Sequence, residues 1–433
     1  MRQSKTTRRG FLTQAAALGM GATLAGCATT GSAADKSIAV AQADATAAAA
    51  KRSRRELGPD DIIRCGFIGV GSRGSGLLQT VLARDDVDVV AVCDAYDVWR
   101  ERGLEWCRAK RPDVAGYLRF EDMIAEEELD AVVIATPDHI HAPAILCALD
   151  AGCDVYTEKP MTLTWQEARD VYLAAQATGA VLQVGTQLRS TDMYQKAREI
   201  VQAGRIGKVV EVQVNRHMRG GFTDQYQPPE EANESNVHWD LFLRDTHPYP
   251  FDLRRFFTWR LFKEYSNGVT GDLMLHHLDA CHYIMGCGMP SRVMSVGGIF
   301  AFPDGRTCPD TISALLDYPA EKFHFNYTTT TANGRYGVQE RYLGTEGTIE
   351  MRNMGAMTVW SGDEEEVITA TRLDTAAHFE NFFSCMRTRQ APIAPKEAGL
   401  MGAVCCAMAV MSQNTGEAVK WNPDAGRIGE VFI

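Results

Sequence analysis

Ile62-Ile63-Arg64-Cys65-Gly66-Phe67-Ile68-Gly69-Val70-Gly71-Ser72-Arg73-Gly74-Ser75-Gly76 is the stretch that decides how this chain is read. Its apolar first half predicts a strand, which runs directly into the spacing G-x-G-x-x-G. In such a turn Gly69 permits the tight bend, Gly71 lets backbone N–H groups approach a pyrophosphate, and Gly74 lets the next helix sit close to the strand. Ser72 and Arg73 then open a helix whose N-terminus turns its partial positive charge toward phosphates. A triple glycine alone is weak evidence. Here a second apolar strand, Val87 to Cys93, ends in Asp94, about 20 residues on, where an acid meets ribose hydroxyls. Strand, glycines, helix, strand and acid in this order predict a dinucleotide site rather than a glycine-rich bend beside a surface acid. Asp94 accepts from both ribose hydroxyls and repels a 2′-phosphate, so NAD is the expected cofactor and NADP the alternative. Arg73 and Arg100 are the cations able to offset that repulsion.

The pattern of strand and helix continues outward from this turn. Asp130 to Ala135 is a continuous apolar run, read as a buried parallel strand. It ends in Thr136-Pro137-Asp138-His139-Ile140-His141. Asp154 to Glu158 is the next strand, closed by Lys159-Pro160, and Val181 to Val184 leads to Gly185-Thr186-Gln187. Thr164 and Glu167 form a capping box for the helix between them. Such alternation predicts a doubly wound parallel sheet, and ligands bind outside the C-terminal ends of its strands. Thr136, Lys159 and Gln187 all stand at such ends. After Arg189 the pattern changes. A helix from Met193 to Ala203 and an alternating strand to Val214 precede a long loop, Asn215 to Asp252. That loop is long enough to be functional. A helix from Gly271, short strands from Ser291 to Met351 and two closing helices predict a largely antiparallel sheet.

The chain has 433 residues, 45% apolar and 23% charged, which bounds it to a globular protein of two domains. The expected division is 1–58 export signal and tether, 59–188 NAD(P)-binding domain, and 189–433 substrate-binding and oligomerisation domain. A net charge of −11 with no long basic stretch beyond the N-terminus argues against a nucleic-acid partner. Arg8-Arg9-Gly10-Phe11-Leu12 followed by a weakly apolar run resembles a twin-arginine export signal. Leu24-Ala25-Gly26-Cys27 resembles a lipoprotein cleavage box, with simple cleavage nearby as the alternative. The expected location is therefore periplasmic, with a membrane contact only through the signal or a lipid on Cys27. Ala28 to Gly58 reads as a flexible tether. Most of the cysteines sit in apolar surroundings and no C-x-x-C occurs, so they read as core thiols and no metal site is predicted.

With Glu158-Lys159-Pro160 reached, the chain resembles the glucose–fructose oxidoreductase / inositol dehydrogenase family, Gfo/Idh/MocA. The resemblance rests on the Gly69 turn, Ala135 to His141, Glu158-Lys159-Pro160, Gly185-Thr186-Gln187 and Gly271-Asp272-Leu273-Met274-Leu275-His276-His277-Leu278-Asp279. It implies a Rossmann domain plus a C-terminal α/β domain whose open sheet often mediates homo-oligomers. It also implies NAD(P)-dependent dehydrogenation of sugars or polyols, or glycoside cleavage through a transient oxidation. Lys159 matches a catalytic, cofactor-adjacent lysine, and physically it can stabilise a developing alkoxide. Its alternative fate is a surface salt bridge with Glu158. Asp272 and His276 match the family's aspartate and histidine. Their i,i+4 spacing predicts one helix face, with His276 accepting the hydroxyl proton and Asp272 orienting it or holding a neighbouring hydroxyl. The competing reading is a helix-capping Asp with a packed histidine.

The cofactor set so predicted is Gly69, Gly71, Ser72, Arg73, Gly74, Asp94, Thr136, Pro137, His141, Glu158, Lys159 and Gln187. Trp259 and Arg260 match an aromatic-basic element near a substrate cleft. Asp279 shares the His276 stripe as a conceivable metal ligand, a role the family does not suggest. The leading expectation is hydride transfer between a sugar, polyol or glycoside carbinol and a tightly held nicotinamide. An NAD-dependent glycosidase and a non-catalytic sugar-binding lipoprotein are the alternatives.

Overall fold

The computed structural model describes residues 53–220, 226–369, 375–425 and 429–432. Arg8, Arg9, Cys27 and most of the Ala-rich tether lie outside them. The end of that tether is tied down rather than free: Arg54 pairs with Asp154 at 3.1 Å and Arg55 with Asp130 at 2.7 Å.

The first sheet comprises β1 (Ile63–Ile68), β2 (Val87–Cys93), β3 (Ala115–Tyr117), β4 (Ala131–Ile134), β5 (Asp154–Glu158) and β6 (Leu182–Gly185). Their order is β3-β2-β1-β4-β5-β6, and every pairing is parallel. Helices α1 (Ser72–Leu82), α2 (Asp97–Arg108), α3 (Phe120–Glu126), α4 (Asp138–Asp150) and α5 (Trp165–Thr178) make the crossovers. Helices on both faces explain why β4 is buried at every residue and reads as an unbroken apolar run. α5 starts at the Thr164–Glu167 capping box and stops at Gly179, whose φ of +62° continues no helix.

After α6 (Asp192–Gln202) the chain builds a second sheet. Its strands are β7 (Val209–His217), β8 (Arg292–Gly298), β9 (Thr311–Tyr318), β10 (Phe323–Thr330), β11 (Val338–Gly344), β12 (Gly347–Arg352), β13 (Ala356–Ser361), β14 (Glu364–Thr369), β15 (Val419–Asn422) and β16 (Glu430–Phe432). The order is β14-β13-β12-β11-β7-β10-β9-β8-β15-β16. It is antiparallel except where β10 pairs with β7. One face is covered. In β9 Ile312, Ala314, Leu316 and Tyr318 are buried, while Ser313 and Leu315 point outward. α7 (Leu275–Met285) and α9 (Lys396–Thr415) supply Cys281, Ile284, Val404 and Met408 to the same core. α8 (Thr375–Thr388) instead returns to the first sheet, where Phe379, Phe382 and Phe383 pack with Phe67 and Tyr156. The described cysteines are free, and most are buried.

Two expectations change. The helix expected from Gly271 begins as a π-helical turn, Thr270–Met274, before α7 continues as an α-helix. The long loop holds a short helix, Trp239–Leu243, and just before it Val237 bridges Tyr96 of the first sheet's domain.

Candidate active site

The strand order of the first sheet reverses between β1 and β4, which opens a crevice at their C-terminal ends. Gly69 takes φ +83°, and a Cβ there would lie 2.8 Å from the Ala135 carbonyl. A Cβ on Gly74 would lie 2.0 Å from the Gly69 oxygen, so only glycine lets α1 sit against β1. Gly71 has an additional reason: its missing side chain leaves room for the Trp99 ring, which a Cβ would meet at 2.8 Å. No side chain caps α1 at Gly71, so its first amides remain available to an anion in the groove. The Asp94 carboxylate stands beside this turn, 8% exposed. It accepts from the Val70 N–H at 2.7 Å and the Tyr96 N–H at 2.9 Å. Burial raises its carboxyl to about 6, against the pull of those two hydrogen bonds.

Gly69, Gly71, Trp99 and Asp94 line a groove that also takes in Ser72, Arg73, Thr136 and Pro137, while Gly74, expected among the cofactor residues, sits behind it and serves the packing of α1. Glycines no side chain can replace, uncapped amides, a buried acid and the unpartnered Thr136 hydroxyl fit a dinucleotide. The cations expected to offset a 2′-phosphate are already engaged. Arg73 Nε lies 2.8 Å from Glu158 and Arg100 lies 2.7 Å from Asp97.

A second cavity shares Arg73, Thr136, Trp259 and Arg260 with the groove, so the two adjoin. Lys159, Asp272, His276, Glu158 and Gln187 line it, as does Asp138. The Lys159 ammonium donates to the Asp272 side chain at 2.7 Å and to the Asp272 main-chain oxygen at 2.9 Å. The partner weighed for Lys159, Glu158, instead holds Arg73 and accepts from Gln187 at 2.8 Å. Burial works to raise Glu158, but Arg73 and Lys159 outweigh it and keep the group ionised.

Of the two roles expected for Asp272, orienting His276 is the one its contacts bear on. Arg260 Nε lies 3.2 Å from the same oxygen that Lys159 holds. Asp272 therefore clamps two cations, and its carboxylate is committed to them rather than to His276. Burial opposes ionisation of Asp272, but Lys159 and Arg260 prevail and hold it well below the usual carboxylate range. His276 is pushed well below its ordinary value, first by burial and then by Lys159 and Arg216, so it stands neutral and able to accept a proton. His277 points away, with Nδ1 2.9 Å from Glu340 in the second-sheet core. Asp279 forms a buried bidentate pair with Arg189 at 2.7 Å, which removes it from the cavity chemistry.

His141, expected among the cofactor residues, stands behind the wall and lines neither cavity. Its Nδ1 lies 2.6 Å from the Pro160 oxygen and its Nε2 2.9 Å from the Thr136 oxygen, so it ties two strand-end turns together. Trp259 lies at the rim of both cavities, with the Arg260 guanidinium 4.1 Å over its ring. Sequence reasoning missed Asp138, which is 3% exposed with Oδ2 unpartnered. Burial raises it to about 7 against Lys159 and Arg260. Its place directly after a strand end was the available signal.

Residues 63–186 match the oxidoreductase family with an NAD-binding Rossmann fold, and residues 198–421 match that family's C-terminal alpha/beta domain. The chain is 24% identical over 348 residues to the scyllo-inositol 2-dehydrogenase (NAD(+)) of Bacillus subtilis (strain 168), spanning 76% of this chain and 88% of that protein. A glycosyl hydrolase family 109 protein of Shewanella baltica (strain OS195) is 32% identical over 123 residues, 27% of either chain. The fold is similar to that of a levoglucosan dehydrogenase in complex with NADH and levoglucosan, with TM-score 0.66 at 16% identity over 83% of this chain and 99% of that one. Matched through both of its domains, the chain belongs to the Gfo/Idh/MocA oxidoreductase family and carries that family's NAD-binding Rossmann domain.

Proposed function

We propose that the protein transfers hydride between a carbinol carbon of a sugar, polyol or glycoside and a retained nicotinamide. The observation that carries this reading is the Lys159–Asp272–Arg260 cluster beside neutral His276, at the inner end of the nucleotide groove. The nicotinamide, when bound, supplies the hydride acceptor. Two of the three ammonium protons of Lys159 go to Asp272, and the third is free to donate to a substrate oxygen as alkoxide charge develops. His276 takes the hydroxyl proton on an imidazole nitrogen as hydride leaves the same carbon. Trp259 offers a ring face for sugar stacking. The inositol dehydrogenase relative supports the polyol class.

The glycosidase reading draws support from the family 109 relative, over 123 residues only. Both readings are separated by one screen of the purified protein against sugars, polyols and aryl glycosides. Paired oxidised and reduced sugars support the dehydrogenase. Aglycone release without net nucleotide change supports the glycosidase, and no reaction with either class overturns both.

Export by the twin-arginine route belongs to the same proposal, supported by Arg8-Arg9 and Leu24-Ala25-Gly26-Cys27. Export leaves the enzyme with little soluble nicotinamide, so a second substrate recycles the cofactor in place. Cell fractionation that finds the wild type only in the cytoplasm overturns it. Exposed Met294, Val296 and Leu315 on β8 and β9 support self-association through the open sheet face. A monomer by light scattering overturns that part.

A further inference from the structure

The glycine turn forms only one side of the nucleotide groove. Phe242, Arg244, Phe256 and Phe257, all from the second half of the chain, line it as well. They belong to the segment 226–262, which crosses back to the first domain immediately beyond Asp94. There Val237 forms an antiparallel bridge with Tyr96. The His238 N–H donates to the Ala95 oxygen at 2.9 Å, and the Asp97 N–H donates to the Asn236 oxygen at 3.0 Å. The His238 ring adds a contact from Nε2 to the Asp97 carboxylate at 3.0 Å. A second fastening lies farther on. Arg244 donates to Glu121 at 2.7 Å, and its guanidinium lies 4.7 Å over the Phe120 ring. His139 Nε2 lies 2.7 Å from the Phe242 oxygen. Between the fastenings, Tyr96 and Trp99 of the first domain pack edge-on against Phe257 of the segment, with centroids 5.3 Å apart in each pair.

Arg244 carries a further mark. Its φ is +46° with ψ −122°, backbone that favours glycine. A non-glycine residue persists in such a conformation where its surroundings over-determine it, and these positions cluster at ligand clamps. Here the guanidinium's contacts with Glu121 and Phe120 do so, on the wall of the groove.

We propose that segment 226–262 is a clasp on the nucleotide, fastened at Ala95–Asp97 and at Glu121–Phe120, and that it governs how slowly the cofactor leaves. The glycine turn and Asp94 hold one side of the ligand. The clasp covers the other, and the adenosine end cannot withdraw until the segment unpairs. This rests on the nucleotide reading of the groove. It goes beyond that reading by giving retention a physical device in the second domain.

The test follows NADH release from purified holoprotein by stopped-flow fluorescence, with excess NAD as the chase and no sugar present. Arg244→Gly removes the guanidinium contacts at a position whose backbone suits glycine, so folding is preserved. His238→Ala loosens the other fastening, and Asp97→Ala loosens it from the opposite side. Each single variant is expected to release NADH about tenfold faster, and Arg244→Gly/His238→Ala about 100-fold faster. His238→Ala and Asp97→Ala combined should do no more than either alone, because both break one contact. Release rates equal to wild type in Arg244→Gly and His238→Ala, with binding intact, overturn the clasp and leave the nucleotide groove standing. A wild-type protein that binds neither NADH nor NADPH overturns the groove's reading and the clasp with it.

Discussion

The nucleotide groove and the chamber beside it share a rim at Arg73, Thr136, Trp259 and Arg260, yet their walls are built differently. The groove is a glycine turn facing a sheath of aromatics, with one buried acid at Asp94. The chamber is dense in charge, and nearly every charge has a committed partner: Lys159 and Arg260 on Asp272, and Arg73 on Glu158. In the proposed function the groove's glycine turn, aromatics and Asp94 serve the cofactor, and the compensated charge of the chamber serves the reacting oxygen. The difference also tells which substitutions disturb chemistry and which disturb folding. Removing one of two cations from Asp272 leaves the carboxylate paired, but removing the carboxylate strands both cations.

The largest effect is expected from the chamber. Lys159→Ala and His276→Ala should stay folded and keep nucleotide, yet lose roughly 100- to 10,000-fold in single-turnover hydride transfer. Near-normal transfer in both would break the assignment of chemistry to this end of the cleft. Asp272→Asn tests the asymmetry of the cluster. It leaves Lys159 and Arg260 facing each other without a carboxylate and should cost about 3–5 kcal/mol of stability. Lys159→Ala should cost clearly less, because Arg260 remains on Asp272. Equal denaturation midpoints for the two variants would show that the cluster is not a shared ion pair.

The groove's acid gives a milder and pH-dependent effect. Asp94 must be ionised to accept both ribose hydroxyls, and its carboxyl lies at about 6. NAD affinity should therefore weaken as pH falls through about 6. Asp94→Asn should bind more weakly at pH 8, by roughly tenfold for one lost charge-assisted contact, and should lose that pH dependence. Titration at several pH values checks this, and an unchanged profile in the variant would place the ribose elsewhere. The smallest effect belongs to Asp138, raised from 3.8 to about 7 by burial. A raised carboxyl binds more protons in the folded state, so its contribution is complete below the unfolded value and is lost as pH rises through about 7. Asp138→Asn should thus compare more favourably with wild type at pH 8 than at pH 5 in thermal melts. A constant difference across that range would mean Asp138 does not titrate there.

Much of the first domain was legible because its signals are local. The strand into Gly69, the spacing to Gly74 and the capping box Thr164–Glu167 all concern neighbours along the chain, and backbone sterics and hydrogen bonding act at that range. The chamber was legible only as a set of names. Lys159, Asp272 and His276 were expected in it and are brought together there. The bond between Lys159 and Asp272, 113 residues apart, was not foreseen: it stands in place of the Glu158 pair weighed as the alternative for Lys159, and it engages the carboxylate that one of two readings had orienting His276. The i,i+4 reasoning could not foresee the π-helical turn in which Asp272 offers both its carboxylate and its main-chain oxygen to Lys159. His141 entered the groove set through its match to the family histidine, although a histidine after a strand end more often packs the helix entrance. Its position on α4 turns it behind the wall, toward Pro160.

The sequence by itself determined the doubly wound sheet, the strand ends at which ligands bind and the residue types available for hydride chemistry. Each follows from periodicity, glycine spacing or motif order, which the chain carries without reference to its partners. Only the tertiary structure decided which charges neutralise one another and which segment roofs the groove. Pairing energies in a buried site depend on distance and desolvation, and these exist only after residues such as Asp97 and His238, or Lys159 and Asp272, have been brought into contact by the fold.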